Sequence, residues 1–517
     1  GFCVTQYLKF TFIFIFLAKK YPNLAKMGGK FFKGNFMIYK ILIANRGEIA
    51  VRIVRACKDL HIKNVAIYTE PDKDSLHVKV ADEAYEIGKD PIKGYLDAAR
   101  IVEVAKACGA DAIHPGYGFL SENYEFAKMV EDAGLTFIGP KSEVILKMGN
   151  KNIARNLMHK NGIPVVPGTE ALNKESIETI KLEAEKIGYP VILKASGGGG
   201  GRGIREVWDP KDLESSYESC KREAKAFFNN DEVFMEKLIV KPRHIEFQIL
   251  GDNYGNLIHL CERDCSIQRR HQKVIEIAPC PTISEDLRKR MGVAAVAAAK
   301  AVGYTNAGTI EFLLDDYNNF YFMEMNTRIQ VEHGVTEEIV GVDLISRQIR
   351  IASGEILDID QTEVKPQGVA IEARITAENV WKNFAPSPGK ITGYFPALGP
   401  GVRVDSHMYQ GYSIPPFYDS LVAKLIVKAR SYDLAVSKLE RALDEFTIEG
   451  VRTTLPFLLA ISKRRHFRRG FFDTSYIEER LQDILENTHD HNQENKEEVI
   501  AAITAAIQKV KSSRENG

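Results

Sequence analysis

From Ile38 onward, short apolar runs alternate with amphipathic ones, and that alternation constrains the fold more than any single motif. "YKILIA" reads as a buried strand, "GEIAVRIVRACKDL" as a helix and "NVAIYT" as a second strand. Helix "YLDAARIVEVAKACG", strand "DAIHPG", helix "SENYEFAKMVEDAG" and strand "LTFIGP" continue the series. Parallel neighbours need a crossover and a helix supplies it, so the pattern predicts a parallel sheet wound on both faces. The turn after the first strand, "ANRGEIA", is not a G-x-G-x-x-G fingerprint, which predicts this fold without a dinucleotide.

At 517 residues the chain is too long for one core, and its texture changes twice more. Helix "KNIARNLMHKNG" leads through "IPVVPG" into a second α/β region. Beyond about Gly368 come short strands and turns, "IEARIT", "GKITGYF" and "SLVAKLIVKA", followed by helices. The expected class is α/β, becoming α+β in the C-terminal part. The 69 basic residues balance 69 acidic ones, which argues against a nucleic-acid or membrane partner. The seven scattered cysteines suit a reducing compartment, so a cytoplasmic protein is expected, with Cys261 and Cys265 as structural thiols.

The two ends stand apart. Residues 1–36 hold a nine-residue run, Phe10–Ala18, that is too short to span a bilayer and is followed by lysines rather than a small-residue cleavage site. They are expected to be an upstream or non-native extension, with Met27 and Met37 as later starts. Residues 482–517 are polar and end in a weakly amphipathic helix, "EEVIAAITAAIQKVK", expected to be a solvated appendage.

Five consecutive glycines, Gly197–Gly201, lie between "VILKA" and "IREVW". A P-loop would run strand, loop, helix, with its lysine after the glycines. Here Lys194 precedes them and the following segment is β-branched, so a strand–loop–strand lid is expected. Its amides could fold over phosphate oxygens, where a Cβ would hold the backbone off.

The segment "GTIEFLLDDYNNFYFMEMNTRIQVEH" carries most of the chemistry. Folding it about "DDYNN" places Glu311 opposite Glu324. Two opposed carboxylates destabilise a sheet unless a cation sits between them, and Mg²⁺ or Mn²⁺ shared with nucleotide phosphates would suit. If the chain stays extended, Glu324, Asn326, Arg328, Gln330 and Glu332 share one face, expected to line a ligand. "PRHIEFQI" reads as a half-buried strand, and Arg263, Arg269, Arg270, His271 and Lys273 as a local anion attractor.

With these residues assembled, residues 37–481 resemble the biotin carboxylase family of ATP-grasp enzymes. The strings that carry the resemblance are "ILIANRGEIAVRI", "HPGYGFLSEN", "KASGGGGGRG", "ERDCSIQRRHQKV", "EMNTRIQVEH" and "PPFYDSLVAKL", in that order. The resemblance implies an N-terminal biotin carboxylase domain over 37–150 and an ATP-grasp domain over 151–368 with its lid at about 166–240. A C-terminal biotin carboxylase domain would cover 369–481. It implies that Lys151 and Lys194 contact ATP phosphates, that Gly200 and Gly201 lie in the lid, and that Glu236, Lys237, Leu238 and Ile239 hold adenine. His244, Gln268 and His271 match further ATP-site residues. Glu311, Glu324 and Asn326 match the ligands of two Mg²⁺ (or Mn²⁺), and Lys273, Arg328, Gln330 and Val331 match the bicarbonate site. Glu332 matches the general base and Arg374 the arginine at the biotin ureido oxygen.

The chemistry implied is attack of bicarbonate on the γ-phosphate of ATP, Glu332 removing its proton, to give carboxyphosphate. That intermediate breaks to CO₂ and phosphate, and the phosphate takes the proton from biotin N1′ while Arg374 stabilises the enolate. No A-M-K-M-type biotinyl-lysine sequence occurs, so biotin is expected as a substrate on a separate biotin carboxyl carrier protein or domain. Carboxyltransferase subunits would complete the complex, with acetyl-CoA as the first acceptor to consider and pyruvate the next. The family suggests a homodimer. Two other readings are an ATP-grasp ligase for a different acid and a non-catalytic ATP-binding scaffold subunit.

Overall fold

The computed structural model describes residues 38–195, 203–228 and 231–488. The extension expected at 1–36, the lid glycines Gly200 and Gly201, and residues 489–517 of the tail lie outside them. The start of the tail, 482–486, completes the helix Tyr476–Glu486.

The first strands form a parallel sheet: β1 (Lys40–Ile43), β2 (Lys63–Thr69), β3 (Glu83–Gly88), β4 (Ala112–His114) and β5 (Thr136–Phe137), in the order β3-β2-β1-β4-β5. The sequence reading found four of these and missed β3, an edge strand that is mostly exposed or half-buried and carries no apolar run. β1 leads straight into the helix Gly47–Asp59, and Gly47 at the junction has φ +66, a conformation that a Cβ disfavours.

The glycine stretch joins β6 (Val191–Ala195) to β7 (Ile204–Val207), which pair antiparallel with Lys194 opposite Ile204. β8 (Val233–Lys237) pairs on the other side of β6. The strand–loop–strand reading is therefore correct.

The site rests on an eight-stranded antiparallel sheet. Its strands are β9 (Arg243–Gly251), β10 (Leu257–Arg269), β11 (Gln272–Ala278), β12 (Asn306–Leu314), β13 (Phe320–Asn326), β14 (Val369–Thr376), β15 (Val402–Ser406) and β16 (Leu421–Ala429). They run in the order β13-β12-β9-β10-β11-β14-β16-β15, so one sheet continues across residue 368. "PRHIEFQI" proves buried on both faces rather than half-buried, because Ile245, Phe247 and Ile249 face an apolar cluster while Glu246 and Gln248 on the other face meet the buried Arg263. One apolar cluster packs Ile245, Phe247 and Ile310 against the helix Glu285–Ala301. Among the described residues, no helix is long and apolar enough to cross a membrane.

Candidate active site

The register puts the two expected carboxylates together: Glu311 of β12 pairs with Glu324 of β13, with an irregularity just after Glu311. The extended ladder beyond them ends sooner than the alternation predicts. β13 stops at Asn326, residues 327–328 bend, and Glu332 stands just before the helix His333–Val340 with its side chain free of the helix end. The bend comes where Glu122 of the first domain takes the Thr327 amide at 3.1 Å and Arg328 Nε at 2.8 Å. The polar side chains still converge. Asn326 Nδ2 and Gln330 Nε2 each donate to Glu311 Oε1 at 2.8 Å.

At the centre, Lys273 Nζ donates to Glu246 Oε2 at 2.6 Å, Glu332 Oε1 at 2.7 Å and Glu311 Oε1 at 3.0 Å. Burial opposes its charge, but the three carboxylates hold Lys273 well above the ordinary lysine range. Burial would likewise lift Glu332, yet Lys273 and Arg374 keep it well below the usual carboxylate range. Arg374 Nη2 reaches Glu332 Oε2 at 2.8 Å and its Nε reaches Glu276 Oε1 at 2.5 Å. Glu311 is also held low against burial, by Lys273 and by His244, whose Nε2 lies 3.1 Å from Glu311 Oε2. Glu324 is raised by burial and by Glu311 beside it, and its one ion pair among the described residues is to Lys151 at 3.8 Å.

The remaining expected residues divide. Gln268 Nε2 and His244 Nδ1 meet at 2.8 Å beside the carboxylates. Lys194 Nζ donates to Glu236 Oε2 at 2.5 Å within the sheet of β6, β7 and β8, where Arg155 also approaches. Lys237 turns its ammonium to the carbonyls of Gly188 and Tyr189, while its amide and that of Leu238 bond to Pro167 and Pro190. Ile239 follows them, half-buried. Val331 enters through its carbonyl, which accepts from Lys424 Nζ at 2.8 Å. His271 stands apart, exposed at the β10–β11 turn, where it and Arg270 both have positive φ.

The anion-attractor reading of the "RDCSIQRRHQK" cations needs correction. Arg263 is wholly buried and donates to Glu246, Gln248, Thr336, Thr309 and Gln330. Arg269 lies over the Phe384 ring, 3.7 Å from its centroid, and Arg270 bonds to Asn383. Of these cations, Arg263 reaches Glu246 of the carboxylate cluster and Lys273 reaches Glu246, Glu311 and Glu332 together. Sequence reasoning also missed Glu246, Glu276 and Lys424 as parts of the site. The available signal was that each is a charged residue inside a strand dense with apolar ones.

The donor set fits a hard divalent cation: two opposed carboxylates, one of them with only a distant ammonium for company. Asn326 presently turns its Oδ1 to Arg328 Nη2 at 3.3 Å.

Three family models match the chain in succession. The model of the biotin carboxylase N-terminal domain matches residues 37–145. That of the carbamoyl-phosphate synthase L chain ATP-binding domain matches 150–360, and that of the biotin carboxylase C-terminal domain 372–479. Biotin carboxylase 1 of Bacillus subtilis is 54% identical, over 86% of this chain and 98% of its own length. The chain belongs to the biotin carboxylase family. Its members are ATP-dependent ligases, and this chain has their three-part architecture. A pyruvate carboxylase subunit of Methanothermobacter thermautotrophicus is 51% identical over 91% of this chain and 98% of its own. The solved biotin carboxylase domain dimer of Hydrogenobacter thermophilus 2-oxoglutarate carboxylase, in complex with MgADP, ADP and bicarbonate, superposes with a TM-score of 0.81. It is 51% identical, over 87% of this chain and 99% of that one.

Proposed function

We propose that this biotin carboxylase uses ATP and bicarbonate to carboxylate biotin on a separate carrier protein or domain, with the residue roles that the family resemblance implies. The observation that carries the reading is Glu332 held between Lys273 and Arg374, 2.7 and 2.8 Å away.

Glu332 takes the bicarbonate proton as the bicarbonate oxygen attacks the γ-phosphorus and ADP leaves. So tightly gripped a carboxylate is a weak base. Its proton affinity rises when Lys273 turns to bicarbonate and Arg374 Nη2 turns to the ureido oxygen, because each departure removes a cation. Arg328 and Gln330 hold bicarbonate and then carboxyphosphate. Carboxyphosphate breaks to CO₂ and phosphate, the phosphate takes the N1′ proton, and N1′ attacks CO₂. Lys151, Lys194 and the lid glycines Gly200 and Gly201 hold the ATP phosphates, and Glu236 to Ile239, His244, Gln268 and His271 line the nucleotide site. Glu311, Glu324 and Asn326 would hold Mg²⁺ or Mn²⁺, which neutralises charge on the transferring phosphoryl group.

The active form on this reading is a homodimer serving a carrier and carboxyltransferase subunits, and a reducing compartment such as the cytoplasm suits its unpaired cysteines. Acetyl-CoA stands first as acceptor on the family resemblance. Alignment over 91% of the chain rather than 86% favours a 2-oxo acid as the second reading.

The test is phosphate release from MgATP with and without bicarbonate and free biotin, for the chain and for Arg374→Ala. Turnover that needs bicarbonate, with its biotin-dependent part lost in Arg374→Ala, supports the reading. Turnover indifferent to both substrates overturns it.

A further inference from the structure

We propose that Glu276 is the positioning residue for Arg374, holding its guanidinium by Nε while Nη2 exchanges Glu332 for the substrate. The inference rests on the proposed biotin carboxylase reaction and adds to it a residue that the family resemblance does not assign.

The geometry is specific. Glu276 lies on β11 and Arg374 on β14, adjacent strands whose register pairs Glu276 with Glu372. Nε of Arg374 donates to Glu276 Oε1 at 2.5 Å, and Nη2 lies 2.5 Å from the same oxygen. Nη2 is shared with Glu332 Oε2, 2.8 Å away. The inner edge of the guanidinium is thus pinned to a rigid strand. Nη1 makes no hydrogen bond to protein among the described residues.

Two anchors matter because of what the reaction does to one of them. On accepting the bicarbonate proton, Glu332 becomes a neutral carboxyl and holds a guanidinium weakly. An arginine anchored by Glu332 alone would loosen when the ureido oxygen needs it. Glu276 takes no part in proton transfer from bicarbonate and keeps its grip throughout.

The cost of placing a carboxylate there argues the same way. Glu276 is completely buried, and its Oε2 has no hydrogen-bond partner. The neighbouring Glu372 is equally buried, with neither oxygen bonded. Burial raises the Glu276 carboxyl, and the Arg374 guanidinium beside it opposes that rise and favours the anion. An amide or an aliphatic side chain would occupy this position at lower cost, but neither offers an anion to Nε.

The test separates two reactions of the full chain with MgATP and bicarbonate: ATP cleavage without biotin, which needs Glu332 and not Arg374, and the biotin-dependent increment. Glu276→Gln removes the charge, and Glu276→Asp keeps it but withdraws it from Nε. Both variants are expected to lose about tenfold or more of the biotin-dependent kcat, the scale of a misplaced catalytic group. Biotin-independent cleavage and the KM for ATP should stay within about twofold, as for a group outside nucleotide binding. Wild-type biotin-dependent turnover in either variant overturns the proposal, as does equal loss of both reactions. If Glu276→Gln does not fold, Glu276→Asp alone decides. If the unmodified chain lacks biotin-dependent turnover, or Arg374→Ala retains it, the proposed function itself falls first.

Discussion

Lys273 Nζ and Glu332 Oε1 lie 2.7 Å apart in a site where the same ammonium also reaches Glu246 and Glu311. One buried cation therefore serves three carboxylates, and its removal should be felt by all of them.

Lys273→Gln leaves Glu246, Glu311 and Glu332 without that shared donor. Losing one partner of a buried ion network costs about 3–5 kcal/mol. The expected result is a lower unfolding temperature together with turnover reduced about 10²–10³-fold, the scale of a lost electrostatic contact at a reacting centre. Calorimetric melting and phosphate release check both, and near-normal turnover would contradict the central role of Lys273.

Arg263 offers a test of stability without direct chemistry. Its guanidinium satisfies Glu246, Gln248, Thr336, Thr309 and Gln330 at once. Lysine has three donors on a flexible stem and cannot reproduce that fork. Arg263→Lys should destabilise the protein by about 1–3 kcal/mol, the cost of leaving buried acceptors unsatisfied. A urea midpoint unchanged from wild type would show that the fork is dispensable.

The opposed carboxylates should report the metal. Glu324→Gln and Glu311→Gln are each expected to raise the Mg²⁺ concentration needed for half-maximal turnover by about tenfold or more, as for lost contacts at a metal site. Glu311→Gln should do more harm, because Asn326, Gln330, Lys273 and His244 all lean on that carboxylate. Titration of turnover against Mg²⁺ at saturating ATP measures this, and unchanged curves for both variants would refute the assignment.

Three buried histidines predict an acid limb to stability. Burial lowers His77 to about 4 and His114 and His407 to about 3, and the His114 ring nitrogen Nδ1 accepts the Gly116 amide at 3.1 Å. The folded values lie below the unfolded value of about 6.5, so the unfolded chain binds protons first as pH falls. Their contribution is complete above pH ~6.5 and declines toward pH ~4 for His77 and pH ~3 for His114 and His407, by up to about 1.4 kcal/mol per unit for each group. Melting temperature against pH, with proton uptake measured by calorimetry, tests the expectation. A flat profile from pH 7 to 5 would contradict it.

Much of this protein was legible before any fold was known, where periodicity or local symmetry carried the information. Alternation announced the first sheet, the strand on each side of the glycines announced the pairing of β6 with β7, and the turn at 315–319 placed Glu311 opposite Glu324. These are properties of residues near one another in the chain, governed by strand period and turn chemistry. Other features depended on which distant strands become neighbours. Glu276 meets Arg374 across 98 residues, Arg263 meets Thr336 across 73, and Glu122 bends a segment 205 residues away. A charged residue in a strand looks the same in sequence whether it faces water or an ion partner. Only burial, which the whole sheet creates, converted Arg263 from an expected anion attractor into a support of the site bonded to Glu246, and made Lys273 the cation that joins three carboxylates.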